Sequence, residues 1–442
     1  MRIIIIGAGL VGSTVTEALH DEHDVTVVDL DGTRLAPLAG RYDVTTLEGN
    51  GASRRLLEQA GARRAHLVIA CTPRDEVNIV AAMLAKKLAP QVKAVVRTTN
   101  VEYLEVWHER QLDVDFIVSS ELETAYAVSR LIGVPAARQT DVFADGQVQI
   151  VEFDVDPALP AGDLVGRPLR AAGIPPSSKV ASIIRAGEVL FPSGDERIEG
   201  GDRIVVIGSP DAARAWSAAL GRSSEQVEDV VVFGCGPVGA AVAQALLRQG
   251  IRVRVVERSA ERAREAASEL VDARVFHAAQ LDEDFLERER IGQADAGIFA
   301  LHDDAASLYA AALAKLHGLR LAIAIVQESV SERLFEQAGI DITVNPRLLA
   351  AEEIVRFAHD PRTRQVAMLQ GNRFEVLDIT VRAESSLTGT PFRDLPITGS
   401  LIGAIVRNGH VLFPHGDDVL LPHDRAIIFT ESSRVSQVER AL

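Results

Sequence analysis

The stretch Met1-Arg2-Ile3-Ile4-Ile5-Ile6-Gly7-Ala8-Gly9-Leu10-Val11-Gly12 decides how the rest of the chain is read. Four consecutive isoleucines make a short β-branched run that turns directly into glycines. It reads as a buried strand of a parallel sheet rather than a signal peptide. A helical pattern follows, with Leu10, Val11, Thr14, Val15, Ala18 and Leu19 on one face. A Gly-x-Gly-x-x-Gly loop between such a strand and such a helix is the setting in which that fingerprint holds a dinucleotide. Gly7 permits the tight turn, Gly9 lets the backbone approach a pyrophosphate, and Gly12 lets the helix lie close to the strand. The N–H groups of the loop around Ala8 and the positive end of the helix opened by Leu10 and Val11 would take the phosphates.

The same words return later. Gly234-Cys235-Gly236-Pro237-Val238-Gly239 repeats the loop at 234 − 7 = 227. Phe191-Pro192-Ser193-Gly194-Asp195 recurs as Phe413-Pro414-His415-Gly416-Asp417, and Gly201-Asp202-Arg203 as His423-Asp424-Arg425, both at an offset of 222. A near-constant offset means tandem duplication of a two-part unit. In the first part, β-rich runs at Arg2–Ile6, Val25–Val28, Val44–Leu47, Leu67–Ala70 and Val92–Val96 alternate with helical patterns, predicting a doubly wound parallel sheet. In the second part, Val148–Val155, Val180–Ile184, Val189–Phe191 and Arg203–Ile207 read as strands joined by Gly/Pro/Asp turns, before a helix at Asp211–Leu220. Arg185-Ala186-Gly187-Glu188 and Arg407-Asn408-Gly409-His410 read as matching hairpin turns. The expected architecture is α/β. Two Rossmann-like domains, 1–138 and 228–362, are each followed by a small α+β module, 139–222 and 363–442, with Gly221–Glu228 as the linker.

Composition narrows the function. Of 442 residues, 46 are Lys or Arg and 62 are Asp or Glu, so the formal charge is 46 − 62 = −16. Nucleic acid demands stripes of Lys and Arg, so this balance argues against it. Cys71 and Cys235, the two cysteines, cannot build a disulfide framework or a zinc site. No apolar run approaches the 18 to 20 residues a spanning helix needs. A cytoplasmic protein is expected, with any membrane role exerted through a partner.

Asp29 ends the second predicted strand, Val27-Val28-Asp29. A carboxylate there accepts hydrogen bonds from adenosine ribose hydroxyls and repels a 2′-phosphate, favouring NAD over NADP. Glu257 repeats it in the second copy. After the third strand, Gly49-Asn50-Gly51 offers an amide and two glycines that could approach adenine. After the fourth comes Thr72-Pro73-Arg74-Asp75-Glu76-Val77-Asn78, and after the fifth Arg97, a fixed cation, all at strand carboxyl ends where ligands sit in open α/β sheets. The second copy has His277-Ala278-Ala279, Leu301-His302-Asp303 and Val326-Gln327-Glu328 at these places, without the glycine-flanked amide or the cation. The first crevice is therefore expected to bind nucleotide tightly, and the second weakly or with a different ligand.

No catalytic residue is assigned. His302 is the best candidate general base, yet it has no visible partner and reads more readily as a polar residue capping a strand end. An NAD-dependent oxidoreductase stays open as the alternative to a binding protein. His20-Asp21-Glu22-His23 lacks further ligands, and no metal is expected. Cys235 stands at a helix start, where a thiol pKa can fall, although a small residue there also simply fits the tight loop.

Taken together, the Ile-Ile-Gly-Ala-Gly-Leu-Val-Gly start, Asp29, the run Asp75-Glu76-Val77-Asn78 and Arg97 before Glu102-Tyr103 resemble the TrkA family. These are Trk-type potassium-uptake regulators, built from tandem RCK or KTN domains. Leu164-Val165-Gly166-Arg167-Pro168-Leu169 and Leu387-Thr388-Gly389-Thr390-Pro391-Phe392, each before an Ile-rich strand ending in Arg, extend the likeness to both C-terminal modules. The resemblance implies a regulatory subunit on the inner face of the membrane, bound to a Trk-type potassium-translocating subunit and self-associating as a dimer or tetramer in a gating ring. It implies NAD(H), and in some members ATP or ADP, as ligand. It places the pyrophosphate on Gly7–Val11, the ribose on Asp29 and further contacts on Thr72, Pro73 and Arg97, and in the second copy reaches Gly234–Val238 and Glu257. A regulator of another cation channel or exporter is the related alternative.

Overall fold

The computed structural model describes residues 1–134, 137–144, 146–158, 163–220, 227–278, 283–357, 363–369, 373–395 and 399–442. Residues 221–226 of the expected linker, and Ala279, lie outside these. The first copy runs β1 (Arg2–Ile6), α1 (Leu10–Leu19), β2 (Asp24–Asp29), α2 (Gly32–Arg41), β3 (Thr45–Glu48), α3 (Arg54–Gln59), β4 (Leu67–Ala70), α4 (Asp75–Leu88), β5 (Lys93–Thr98), α5 (Glu102–His108), β6 (Phe116–Ser119) and α6 (Ser120–Gly133). Then follow β7 (Ala137–Phe143), β8 (Val148–Asp154), β9 (Ser178–Arg185), β10 (Glu188–Leu190), β11 (Arg203–Gly208) and α7 (Pro210–Ala219).

The second copy opens with β12 (Asp229–Phe233), α8 (Pro237–Arg248), β13 (Arg252–Glu257), α9 (Ala260–Glu269), β14 (Arg274–His277), α10 (Glu283–Arg288), β15 (Ala296–Phe299), α11 (Asp304–Leu316), β16 (Leu321–Ile325), α12 (Ser329–Gln337), β17 (Ile342–Val344) and α13 (Pro346–Arg356). It closes with β18 (Thr363–Leu369), β19 (Phe374–Thr380), β20 (Ser400–Arg407), β21 (His410–Leu412), β22 (Arg425–Glu431) and α14 (Val435–Ala441).

Both parallel sheets have the doubly wound order, β3-β2-β1-β4-β5-β6 and β14-β13-β12-β15-β16-β17. The change of winding direction lies between β1 and β4, and between β12 and β15. Crevices open there at the strand carboxyl ends. Ile3 to Ile6 and Val230 to Phe233 are almost wholly buried, as strands covered on both faces must be. The strands β6 and β17 extend the five-strand reading of each sheet. They are short, four and three residues, and carry too few positions to show a pattern.

Contacts divide the chain into two compact units that cross the duplication. One gathers Met1–Ser129 with Val227–Ala358, the other Arg130–Gln226 with His359–Leu442. Inside the first unit, α13 packs against α1 and β6, and Phe357 stacks on Phe116 at 4.2 Å. A helix from one copy thus covers the nucleotide-loop helix of the other.

The second unit holds two antiparallel sheets, β10-β9-β11-β8-β7 and β18-β19-β22-β20-β21. Residue 138 therefore falls inside β7, not before it. Val205, Ile207, Val376, Ala404 and Phe429 share one core across both modules. A Cβ at Gly403 would stand 2.4 Å from the Ile207 side chain, so only glycine admits so close an approach.

Candidate functional site

Gly7 and Gly12 of the first loop make the tight turn and the close helix packing that their spacing predicts, and Gly9 lies open. Gly7 has φ of +107°, and a Cβ there would meet the Cys71 and Thr72 backbone at 3.0–3.1 Å. A Cβ on Gly12 would lie 1.8 Å from the Gly7 carbonyl, which forces glycine where α1 crosses β1. Gly9, extended at the start of α1, faces nothing nearer than the Arg34 guanidinium at 3.8 Å. Gly234, Gly236 and Gly239 repeat all three: φ of +92°, an open position, and a Cβ contact of 2.0 Å.

The Asp29 carboxylate accepts the Ala8 N–H at 2.6 Å and the Asp31 N–H at 2.9 Å. Strand end and loop are thereby tied together, leaving a half-buried carboxylate at the crevice. Gly49 donates to the Asp29 carbonyl at 2.8 Å. Gly51 is excluded from side chains by Ile6, 2.1 Å from a Cβ, and the Asn50 side chain accepts the Ala52 N–H at 2.9 Å. Gly51 serves packing on β1 and Gly49 on Leu56 of α3, 2.9 Å from a Cβ, and the Asn50 oxygen is already used in a turn.

Asn78 is fully buried. It accepts from the Thr72 N–H (2.9 Å) and hydroxyl (2.6 Å), and donates to the carbonyls of Thr72 and Arg97 at 2.9 Å each. It braces the ends of β4 and β5 at the crevice. Pro73 is exposed beside it. Arg97 donates to the Ser120 hydroxyl at 2.9 Å. Asp75 caps the other side, accepting from Thr98, Thr99 and Asn100 at 2.9–3.1 Å.

Glu121, at the start of α6, is 6% exposed. Burial pushes its carboxyl up to about 7, against the pull of Arg97 and the Ser119 hydroxyl, with Asp75 adding repulsion. Sequence reading missed Glu121 and Arg34 as members of this crevice. Both reach it from helices that follow the strands, beyond the span of any loop motif.

The second crevice is a cavity of about 580 Å³, whose lining includes Gly234, Gly236, Pro237, Val238, Glu257, Arg258, Arg262 and His302. Glu257 is 1% exposed. Its carboxylate accepts the Cys235 N–H (2.9 Å), the Ser259 N–H (2.7 Å) and the Arg262 guanidinium (2.7 Å). Burial opposes ionisation, but these three donors outweigh it and hold the carboxyl below the usual range. This copy has no cation at the end of its fifth strand, but Arg258 and Arg262 line the crevice from the end of β13 and the start of α9.

Register corrects a second equivalence. Val96 pairs with Ala70 and Ala324 with Phe299, so Ile325, not Gln327, stands at the place of Arg97. Asn78 is replaced by Ser307, whose buried hydroxyl has no partner among the described residues. Arg347 stands where the first copy has Glu121, its guanidinium 3.4 Å from Glu328. No described hydrogen bond orients His302.

Cys235 does not have the lowered thiol that its helix start allows. Burial and the nearby Glu257 and Glu269 push it up to about 11, and burial pushes Cys71 up to about 12. His20 packs on the Tyr42 ring at 4.6 Å. Among the described residues no helix is long and apolar enough to cross a membrane.

Comparison with known proteins sets these crevices in context. The TrkA-N domain matches residues 3–120 and 230–346, and the TrkA-C domain residues 157–221 and 376–442. A Trk system potassium uptake protein TrkA homolog of Archaeoglobus fulgidus is 31% identical over 442 residues, 99% of each chain. The Trk system potassium uptake protein TrkA of Azorhizobium caulinodans is 29% identical, covering 100% of this chain and 98% of its own. The fold is also that of the GsuK RCK domain, with TM-score 0.61 at 17% identity over 100% of this chain and 94% of that one. The GsuK channel bound to NAD gives TM-score 0.60 at 17% identity, over 100% and 79%.

Proposed function

Because the chain belongs to the TrkA family of potassium-uptake proteins, we propose that it is a nucleotide-sensing regulatory subunit, without catalysis of its own, for a membrane-embedded potassium-translocating partner. NAD(H) is the ligand assigned to the first crevice, with ATP and ADP as competitors for the same loop. One observation carries this reading. The Gly7–Gly12 loop is tied to Asp29 at the start of α1, a geometry suited to a pyrophosphate and a ribose, and α13 of the other copy covers that same helix. The relatives named for potassium uptake and the fold shared with an NAD-bound channel support the reading.

The physical requirement on such a sensor is differential affinity. A nucleotide shifts the assembly only if it binds one packing of the α1–α13 contact better than another. Calorimetry with NAD, NADH, ATP and ADP on the wild type and on Asp29→Ala tests the assignment. NADH should weaken roughly ten- to hundredfold in the variant, the worth of a carboxylate–hydroxyl pair plus its hold on the loop. Equal affinity in the two proteins would overturn it. Enzyme-like turnover of NADH with any substrate would overturn the regulatory assignment.

A further inference from the structure

Aligned on the two carboxylates at 257 − 29 = 228, the copies differ in charge where an adenosine ribose would lie. Asp29, Leu30, Asp31 and Arg34 of the first copy stand opposite Glu257, Arg258, Ser259 and Arg262 of the second. Two aspartates and one arginine give the first a formal −1, whereas one glutamate and two arginines give the second +1.

The hydrogen bonds sharpen the contrast. Asp29 takes one backbone donor on each oxygen and is half-buried, so it retains acceptor capacity facing the crevice. Arg34 is occupied with Asp31 at 3.6 Å. Glu257 takes three donors, is buried, and is neutralised by Arg262, so it has little left for a ribose hydroxyl. Arg258 lines the same cavity, is exposed, and its guanidinium has no carboxylate partner among the described residues. Arginine is the side chain whose planar fork matches phosphate oxygens.

We propose that the second crevice selects an adenine dinucleotide carrying a phosphate on its adenosine ribose, with Arg258 and Arg262 as that phosphate's partners, while the first crevice excludes it. The inference rests on reading the two crevices as nucleotide sites. It replaces two unequal copies of one site with two sites of different specificity. The chain would then sample the phosphorylated and unphosphorylated dinucleotide pools at once.

The test is calorimetry on the full chain, with NADPH and NADH as probes, on the wild type, Arg258→Leu and Arg262→Leu. Arg258 is exposed, so Arg258→Leu keeps the fold even if Arg262→Leu, which strands Glu257, does not. The expected result is NADPH binding at one site per chain, weakened roughly tenfold or more in Arg258→Leu by loss of a charged hydrogen bond, with NADH binding at the first crevice unchanged. NADPH no tighter than NADH at the second crevice overturns the proposal while NADH binding leaves the nucleotide reading standing. So does NADPH affinity unaltered in Arg258→Leu. Absence of binding by either probe overturns both.

Discussion

Glu121 is a carboxyl whose surroundings contradict its chemistry. Its carboxyl is pushed up to about 7 from an ordinary 4.5, so between those values the folded protein holds a proton the unfolded chain has released. Stability therefore falls as pH rises through that window, and the penalty is complete above pH 7. Glu121→Gln removes it. Urea unfolding at pH 8 should show the variant more stable by roughly 1–3 kcal/mol, with the difference vanishing below pH 4.5. At this scale the sequence was legible wherever a residue acts through the backbone: Gly7, Gly12, Asp29 and Glu257 sit where their spacing placed them. It was illegible for Arg34, Arg258, Arg262 and Glu121, because side-chain direction is fixed by packing that no spacing records. The constant offset of 228 between Arg34 and Arg262 was the available signal.

At the scale of elements, the repeated words near each half's end acquire a cause. Asp202, 2% exposed, takes a bidentate pair from Arg185 at 2.8 Å, and its oxygen also accepts the Glu199 N–H at 2.7 Å. Asp424 does the same with Arg407 and the Leu421 N–H. The arginine that follows each aspartate, Arg203 or Arg425, turns to Asp154 or Asp378 on the neighbouring strand. The Asp-Arg dipeptide thus clamps the end of β9 and β20 to the turn before β11 and β22. Asp202→Ala leaves the Arg185 guanidinium without its main partner and should cost about 2–4 kcal/mol in thermal or urea unfolding. The strands β6 and β17 were missed for the opposite reason. They are too brief to declare a period, and pairing with β5 and β16 makes them strands.

At the scale of the molecule, both Rossmann-like modules present apolar side chains at corresponding places. Val80 on α4 is 45% exposed and Tyr309 on α11 is 56%, while Val101 and Val330 open α5 and α12 at 41% and 78%. In a chain of net charge −16, such matched patches are the surfaces through which self-association is expected. Val330→Glu together with Leu334→Glu, a second exposed apolar side chain of α12, should lower the assembly state seen by sedimentation velocity, leaving the folded monomer's circular dichroism unchanged. An unaltered sedimentation coefficient would place the assembly contact elsewhere. Duplication was legible as repetition, and two like modules in one chain can pack on each other, but the faces used in that regrouping were not legible, since offset says nothing of which helices touch.

That regrouping sets a timetable for biosynthesis. The helix α1 is complete within the first 20 residues made, whereas α13, which covers it, begins at Pro346. With 346 − 10 = 336 residues between their starts, a ribosome working at about 5–20 residues per second leaves that face of α1 bare for roughly 17–70 s. Once the chain has passed Arg97, 97 − 10 = 87 residues after α1 begins, the glycine loop, Asp29 and the ends of β4 and β5 are all present while α1 still lacks its cover. Under the function proposed above, a dinucleotide met there would hold the nascent module in shape until its second half arrives.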